Sequence, residues 1–377
     1  MKFLARICCL ALLALSLARF APLFEQPAQA QSPPAKIGIR PIGKPVEIKA
    51  PLGLPPVPIP ADNPPTEETI ALGRRLFYDP ILSVDRTISC ASCHAPQFAF
   101  SDNQPVSDGV GKKLGTRHAP TVINSAYNNL QFWDGRAASL EEQALGPMTN
   151  PVEMAHTLDG VVQRLQADPN YPAMFQKAWG TKQITIEMVA KSIASFERTV
   201  LAGDSPFDRF LYGHDSKALS PAAQRGMIVF IRKNKGNCKA CHSFDKNSSL
   251  FTDNEFHNLG VGADARGNFK DVGRYAVTKN EEDMGCFKTP TLRNLANRGP
   301  YMHDGSFPTL QDALVHYVGG GNVNSHLDIE IHSLDGLTLD EREDLMQFLD
   351  SLNGKLAANV GPPPDLVVPA KTASSGK

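Results

Sequence analysis

The sequence predicts a mostly helical protein made of two similar halves, and three observations carry that expectation. The motif C-x-x-C-H occurs twice, as Cys90-Ala91-Ser92-Cys93-His94 and Cys238-Lys239-Ala240-Cys241-His242. An ordered set of short matches follows each copy. Strand-like alternation is scarce, whereas apolar residues at helical spacing recur behind Ser and Thr caps.

The elements follow in chain order. Residues 1–30 read as a secretory signal: Lys2 and Arg6 begin it, Ile7 to Leu17 form a short apolar core, and Ala28-Gln29-Ala30 offers a cleavage site. The core is too short to span a bilayer, and Arg19 interrupts the run, which disfavours the alternative of an uncleaved anchor. Cys8 and Cys9 leave with the signal. Residues 31–65 are rich in proline and read as an extended arm or linker. A first domain spans 66–203, with Thr66 capping a helix over Glu67–Leu76 and further helices over Ser139–Leu145, Leu158–Leu165 and Ile184–Val200. Asp204 to Ser220 reads as the crossing into a second domain, 204–355. There Ser220-Pro221 opens a helix, and Leu345, Phe348, Leu349 and Leu352 mark one face of another over Leu339–Leu352. Residues 356–377 read as a disordered tail.

With 377 residues, 42% of them hydrophobic, the chain has room for two cores. A formal net charge of -1 gives no reason to expect nucleic acid or a polybasic membrane surface as partner, and past the signal nothing reaches membrane-spanning length.

In C-x-x-C-H, two thiols can form thioether bonds to haem vinyl groups while the histidine ligates the iron. A single copy also fits a redox dithiol or half a zinc site. Two copies in an exported chain favour two covalently bound haem c groups, on Cys90, Cys93 and His94 and on Cys238, Cys241 and His242. Haem c together with export points to the periplasm. Cys286 is left over and reads as a buried, inert thiol.

The halves form a repeat. Ala119-Pro120-Thr121, Phe132-Trp133-Asp134-Gly135-Arg136 and Ser139 to Ala144 match, in order, Thr289-Pro290-Thr291, Tyr301-Met302-His303-Asp304-Gly305 and Thr309 to Ala313. Duplication of a single-haem cytochrome domain explains that order, so the expected fold is two cytochrome c-like domains, each wrapping one haem in long loops. Twelve residues after Gly305 lies Tyr317, and twelve after Gly135 lies Pro147. If the short helix between delivers the residue above each iron, tyrosine closes the second haem and proline leaves the first one open. An open iron binds peroxide; a closed one stores or passes electrons. His316, Met302 and His303 are rival ligands, and Tyr317 also reads as an ordinary core aromatic, Pro147 as a loop proline. Gln143 and Glu153 stand beside the open position, where a carboxylate can serve as general acid-base. Singly, Glu153 reads equally as a surface carboxylate. Trp133, in the Asp-Gly turn, reads as an electron bridge between haems or as a packed core residue.

With these motifs in hand, the chain resembles the bacterial di-haem cytochrome c peroxidase superfamily, MauG-type enzymes included. The resemblance runs from about Thr66 to Gly354. It is carried by Leu72 to Pro80, Cys90 to His94, Phe132 to Ala137, Asn150 to Met154, Asp204 to Arg209, Arg274 to Thr278 and Pro300 to Gly305. It implies a peroxidatic N-terminal haem, an electron-transfer C-terminal haem, an inter-haem role for Trp133 and a distal pocket of Gln143, Pro147 and acid-base Glu153. It also implies calcium on the carbonyls of Arg298 and Pro300, although His118 stands where an asparagine is expected, which puts that ion in doubt. Two departures favour the MauG type: Tyr317 replaces the usual methionine, and the loop Ser101 to Thr116 lacks the histidine that blocks the first iron in typical peroxidases. The expected function is therefore peroxide-dependent oxidation of a protein or bulky substrate by long-range electron transfer. The alternatives are a detoxifying peroxidase fed by a small cytochrome c or cupredoxin, and a non-enzymatic di-haem carrier. A homodimer is common in the peroxidase branch.

Overall fold

The computed structural model describes residues 38–366; the signal segment, the start of the arm and residues 367–377 lie outside them. Helix α1 (Glu67–Tyr78) starts at the expected cap, where Thr66 and Thr69 exchange hydrogen bonds in a capping box. The one-turn α2 (Cys90–Cys93) is followed by α3 (Leu140–Thr149), α4 (Leu158–Ala167), α5 (Tyr171–Trp179) and α6 (Ile186–Glu197). The second half holds α7 (Pro206–Leu211), α8 (Pro221–Ile231), one-turn α9 (Tyr275–Thr278), α10 (Leu310–Val318) and α11 (Leu339–Asp350). Among the described residues, strand is confined to two antiparallel pairs: β1 (Ala202–Gly203) with β4 (Lys355–Leu356), and β2 (Phe256–His257) with β3 (Phe287–Lys288). The fold is mostly helical, as the sequence predicts.

Each half packs one long helix pair across a glycine. Leu72, Leu76 and Phe77 of α1 share a core with Met188, Val189, Ile193 and Phe196 of α6. At the crossing, a Cβ on Gly73 would stand 1.8 Å from the Ser192 carbonyl oxygen. In the second half α8 meets α11 in the same way, and a Cβ on Gly226 would stand 1.9 Å from the Asp344 carbonyl oxygen. Glycine alone permits backbones this close. The first pair belongs to a hydrophobic core running from Leu72 to Ala202, the second to one running from Phe207 to Leu352. Leu345, Phe348, Leu349 and Leu352 are all buried, as their spacing predicts. From Ile39 onward the two cores sit in one compact unit.

Three features depart from the sequence reading. Helix α5 was not expected: it opens on Asn170-Tyr171-Pro172 and ends at a left-handed Gly180, although Asn170 makes no side-chain cap bond. The segment 204–220, read as a crossing, contains α7, fixed by a capping box between Ser205 and Asp208. Residues 356–366, read as disordered, pack onto the first half. Leu356, Val360 and Leu366 join its core, the Tyr78 hydroxyl donates to the Val360 carbonyl at 2.7 Å, and Arg75 pairs with Asp365 at 2.6 Å. The prolines there resemble a linker by composition, but spaced aliphatic residues anchor the segment. The described part of the arm has no helix and touches both halves: Lys191 donates to the Ile39 and Asp62 carbonyls, and the Gly53 carbonyl accepts from the Ser249 backbone at 2.8 Å. No described helix is long and apolar enough to cross a membrane.

Candidate active site

The two C-x-x-C-H motifs are shaped by local backbone structure. Ser89 and Ser92 form a capping box around α2, and the His94 N–H donates back to the Cys90 carbonyl at 2.9 Å. In the second motif, Asn237 takes a left-handed conformation (φ 50°) ahead of a 3-10 turn over Cys238–Ala240, and the His242 N–H donates to the Cys238 carbonyl at 2.9 Å. His242 Nδ1 lies 3.0 Å from the Phe251 carbonyl. That bond requires the proton on Nδ1 and leaves Nε2 as the coordinating nitrogen. Burial pushes the His242 pKa down, which favours the neutral imidazole that metals bind.

Both motifs open into one cavity of about 740 Å³, lined by Cys90, Cys93, His94, Cys238, Cys241 and His242. Burial pushes the Cys90 thiol well above the usual range and the Cys238 thiol up to about 12. Among the described residues, one group has metal-ligand spacing, Cys241 with Asp253 and His257 within 4.8 Å. Nothing of the kind surrounds Cys90 and Cys93. The imidazole of His257 bridges Asp253 (2.9 Å) and Asp328 (2.6 Å), whose carboxylates push its pKa up to about 11, so it is already committed to ion pairs.

The repeat is exact in register beside this cavity. Bridges Gln131↔Ala137 and Tyr301↔Phe307 close equivalent turns, with positive φ at Phe132, Gly135, Met302 and Gly305. Ser139 and Thr309 then cap α3 and α10. The two helices bring Pro147 and Tyr317, at the same repeat position, to the cavity wall. Gln143 lines it one turn before Pro147. Of the rival residues, Met302 and His303 also line the cavity. The His303 ring stacks on Phe287 at 3.5 Å, and His316 Nε2 bonds the Leu259 carbonyl at 2.9 Å. The Tyr317 hydroxyl is pushed upward by burial.

Glu153 follows α3 in a turn. Burial pushes its pKa up, against the opposing pull of Asn150, which donates to Oε1 at 2.6 Å, and of Arg136. The loop 101–116 is tied to this turn, since the Val110 N–H donates to the Glu153 carbonyl at 2.8 Å. It is tied again at His118, whose ring contacts Ser101 Oγ at 3.0 Å and the Gln104 carbonyl at 2.9 Å. Trp133 lies where the halves meet: its indole N–H donates to the His118 carbonyl at 2.8 Å, and its own carbonyl accepts from Lys288 of β3 at 2.8 Å. Among the described residues, the Arg298 and Pro300 carbonyls accept no hydrogen bond, while the Arg298 guanidinium donates to the Thr291 carbonyl at 2.6 Å.

Sequence reasoning missed three groups here. Arg293 and Asp208 form a bidentate ion pair, both 0% exposed, with Arg293 also donating to the Ser249 carbonyl at 2.6 Å. His257 and Lys288 are the others. All three owe their surroundings to tertiary structure, so no local pattern signals them.

A helical frame with paired C-x-x-C-H cradles facing one cavity is the architecture of a multi-haem protein of the cytochrome c class. The model of the family described as di-haem cytochrome c peroxidase matches residues 67–216. The chain is 41% identical over 303 residues to the methylamine utilization protein MauG of Methylorubrum extorquens, covering 80% of this chain and 83% of that one. It is 36% identical over 298 residues to cytochrome c551 peroxidase of Pseudomonas aeruginosa, covering 78% and 81%. Among solved structures, a MauG-like protein associated with microbial copper homeostasis matches with a TM-score of 0.74 and 32% identity, covering 81% of this chain and 95% of that one. The chain therefore belongs to the di-haem cytochrome c peroxidase and MauG family, and is a haem-dependent peroxidase or oxidase.

Proposed function

We propose that the chain is a periplasmic MauG-type enzyme that uses hydrogen peroxide to oxidise a protein or other bulky substrate. The observation that carries this reading is the pair Tyr317 and Pro147, set at one repeat position in two halves and both facing the cavity. In this reading the segments 66–203 and 204–355 are two cytochrome c domains. Cys90, Cys93 and His94 would hold the first haem, and Cys238, Cys241 and His242 the second. Tyr317 would supply a further ligand to the second haem, and phenolate ligation would lower its reduction potential relative to a thioether ligand. The Arg298 and Pro300 carbonyls are free to hold calcium, which binds oxygen ligands.

Bound haem iron supplies the peroxide-binding and redox chemistry. The chain's own groups do the rest. Pro147 offers no ligating atom, so the space above His94 stays open to peroxide. Glu153, kept basic enough to accept a proton by its burial, takes one from the inner peroxide oxygen and returns it to the outer one. Two further protons and two electrons complete the reduction of peroxide to two waters. Trp133, bonded to both halves, lies on the route for those electrons. The bonds from Val110 to Glu153 and from His118 to Gln104 hold the loop 101–116 in place, which supports a first haem that is open before any reduction.

The peroxidase reading, with a small cytochrome c or cupredoxin as donor, is kept by the similarity to cytochrome c551 peroxidase. Membership of an enzyme family removes the non-enzymatic carrier. One experiment separates the other two: one equivalent of hydrogen peroxide is added to the fully oxidised protein without reductant. We expect an immediate change in the haem spectrum. No change until one haem is reduced would overturn the MauG-type reading in favour of a reductively activated peroxidase.

A further inference from the structure

Lys288 is a buried cation with no anion to meet it. It is 9% exposed, ends β3 and lines the cavity. Among the described residues, no carboxylate, hydroxyl or carbonyl accepts from its ammonium group. Other buried cations are satisfied, Lys191 by Asp62 and Glu187, Arg198 by Glu141 and Arg293 by Asp208, as is the half-buried Arg117 by Asp134 and Asp271. Arg298 also lacks a carboxylate, but its guanidinium is anchored on the Thr291 carbonyl. Burial accordingly pulls the Lys288 pKa down to about 8, with no opposing charge.

A buried ammonium without a partner is costly, and proteins retain one where a bound anion completes it. Haem brings two carboxylates, its propionates, into this cavity. The backbone fixes which haem lies nearest. Lys288 pairs with Phe256 across β2 and β3, the neighbouring His257 lies within 4.8 Å of Cys241, and Thr289, which follows Lys288, gives its carbonyl to Thr252 Oγ1 at 2.6 Å. The Lys288 N–H donates to the Trp133 carbonyl at 2.8 Å, which puts the residue where the second half meets the first.

We propose that Lys288 is the counter-charge of a propionate of the C-terminal haem, and that it sets the reduction potential of that haem. A positive charge at this point stabilises the reduced, more negative form. It therefore opposes the lowering caused by Tyr317, and keeps the second haem from becoming too weak an oxidant to draw electrons from a substrate.

The inference rests on the di-haem reading, so the test begins with the number of haems covalently bound to the holoprotein, measured by mass. Midpoint potentials of the two haems are then measured by spectroelectrochemistry in the parent, Lys288→Gln and Lys288→Arg. The expected result is a fall in the C-terminal haem potential in Lys288→Gln, the N-terminal potential little changed, and a value near the parent's in Lys288→Arg. With two haems bound, an unchanged potential in Lys288→Gln overturns the assignment. So does a shift confined to the other haem, or a fall that arginine does not restore. A parent protein without two covalent haems overturns the di-haem reading itself.

Discussion

Asp208→Asn should destabilise the protein far more than its conservative shape suggests. The carboxylate accepts five hydrogen bonds: from Arg293 Nη2 and Ser249 Oγ at Oδ1 (2.8 and 3.0 Å), and from Arg293 Nη1 and the Ser205 N–H and hydroxyl at Oδ2 (2.8, 2.9 and 2.8 Å). An asparagine has one accepting oxygen, so its NH2 must face donors on one side, either Arg293 and Ser249 or Arg293 and Ser205. The Arg293 charge, 0% exposed, is then left without its counter-ion. Breaking a buried pair from one side costs about 3–5 kcal/mol. Urea unfolding of the holoprotein, read at pH 7, measures it. Acid adds a second signature. Burial alone would raise the Asp208 pKa, but Arg293 outweighs it and holds the carboxyl below its ordinary range. A depressed carboxyl contributes stability that is full above the unfolded value of about 3.9 and is lost as pH falls through the folded value. The parent should therefore lose this increment below about pH 4, and the asparagine variant should lack that slope. A loss under about 1 kcal/mol at pH 7, or identical acid profiles, would refute the reasoning. A spectral readout accompanies it: Arg293 holds the Ser249 carbonyl, two residues before the Phe251 carbonyl that orients His242, so the C-terminal haem spectrum should change as well.

Two further substitutions test the site. Tyr317→Met should give the second haem His/Met ligation, seen as a thioether-to-iron charge-transfer band and a raised midpoint potential; an unchanged spectrum removes Tyr317 as the ligand. Glu153→Gln should slow peroxide activation by about a hundredfold or more. Because burial raises the Glu153 pKa above the ordinary carboxylate range, the parent's rate should fall as acid protonates the base, and the glutamine variant should lack that acid limb. A parent-like rate in stopped flow would take Glu153 out of the mechanism.

What the sequence displayed and what it hid divide along physical lines. Thr66, Ser139, Ser220 and Thr309 announced helix starts because a cap is a local exchange of hydrogen bonds within three residues. The repeat register that aligns Pro147 with Tyr317 was legible because duplication preserves spacing. By contrast, the tail at Leu356 to Leu366 has the composition of a linker while its apolar residues find a distant core. Arg293 with Asp208, His257 with Asp253 and Asp328, and the isolation of Lys288 are properties of chain segments far apart in sequence. A charged residue shows no periodicity that distinguishes a buried pair from a solvated one.

The return of the chain to its first core has a mechanical consequence. It leaves that core at β1, builds the second, and comes back through β4, which pairs with β1 at Ala202↔Leu356, while the arm reaches across at Gly53. The halves are thus joined by two adjacent chain crossings and a strap rather than by a single tether. Bending one half away from the other would have to part the Ala202↔Leu356 pairing or pull Gly53 from Ser249, whereas a one-linker protein could swing freely. Neither half is a detachable cassette: a fragment ending at Gly203 would lose β4 and the lid of Val360 over Tyr78. The two halves are in this way one body, with Ile39 and Leu366, near the two limits of the described residues, both packed on the first core and the internal spacing fixed by construction.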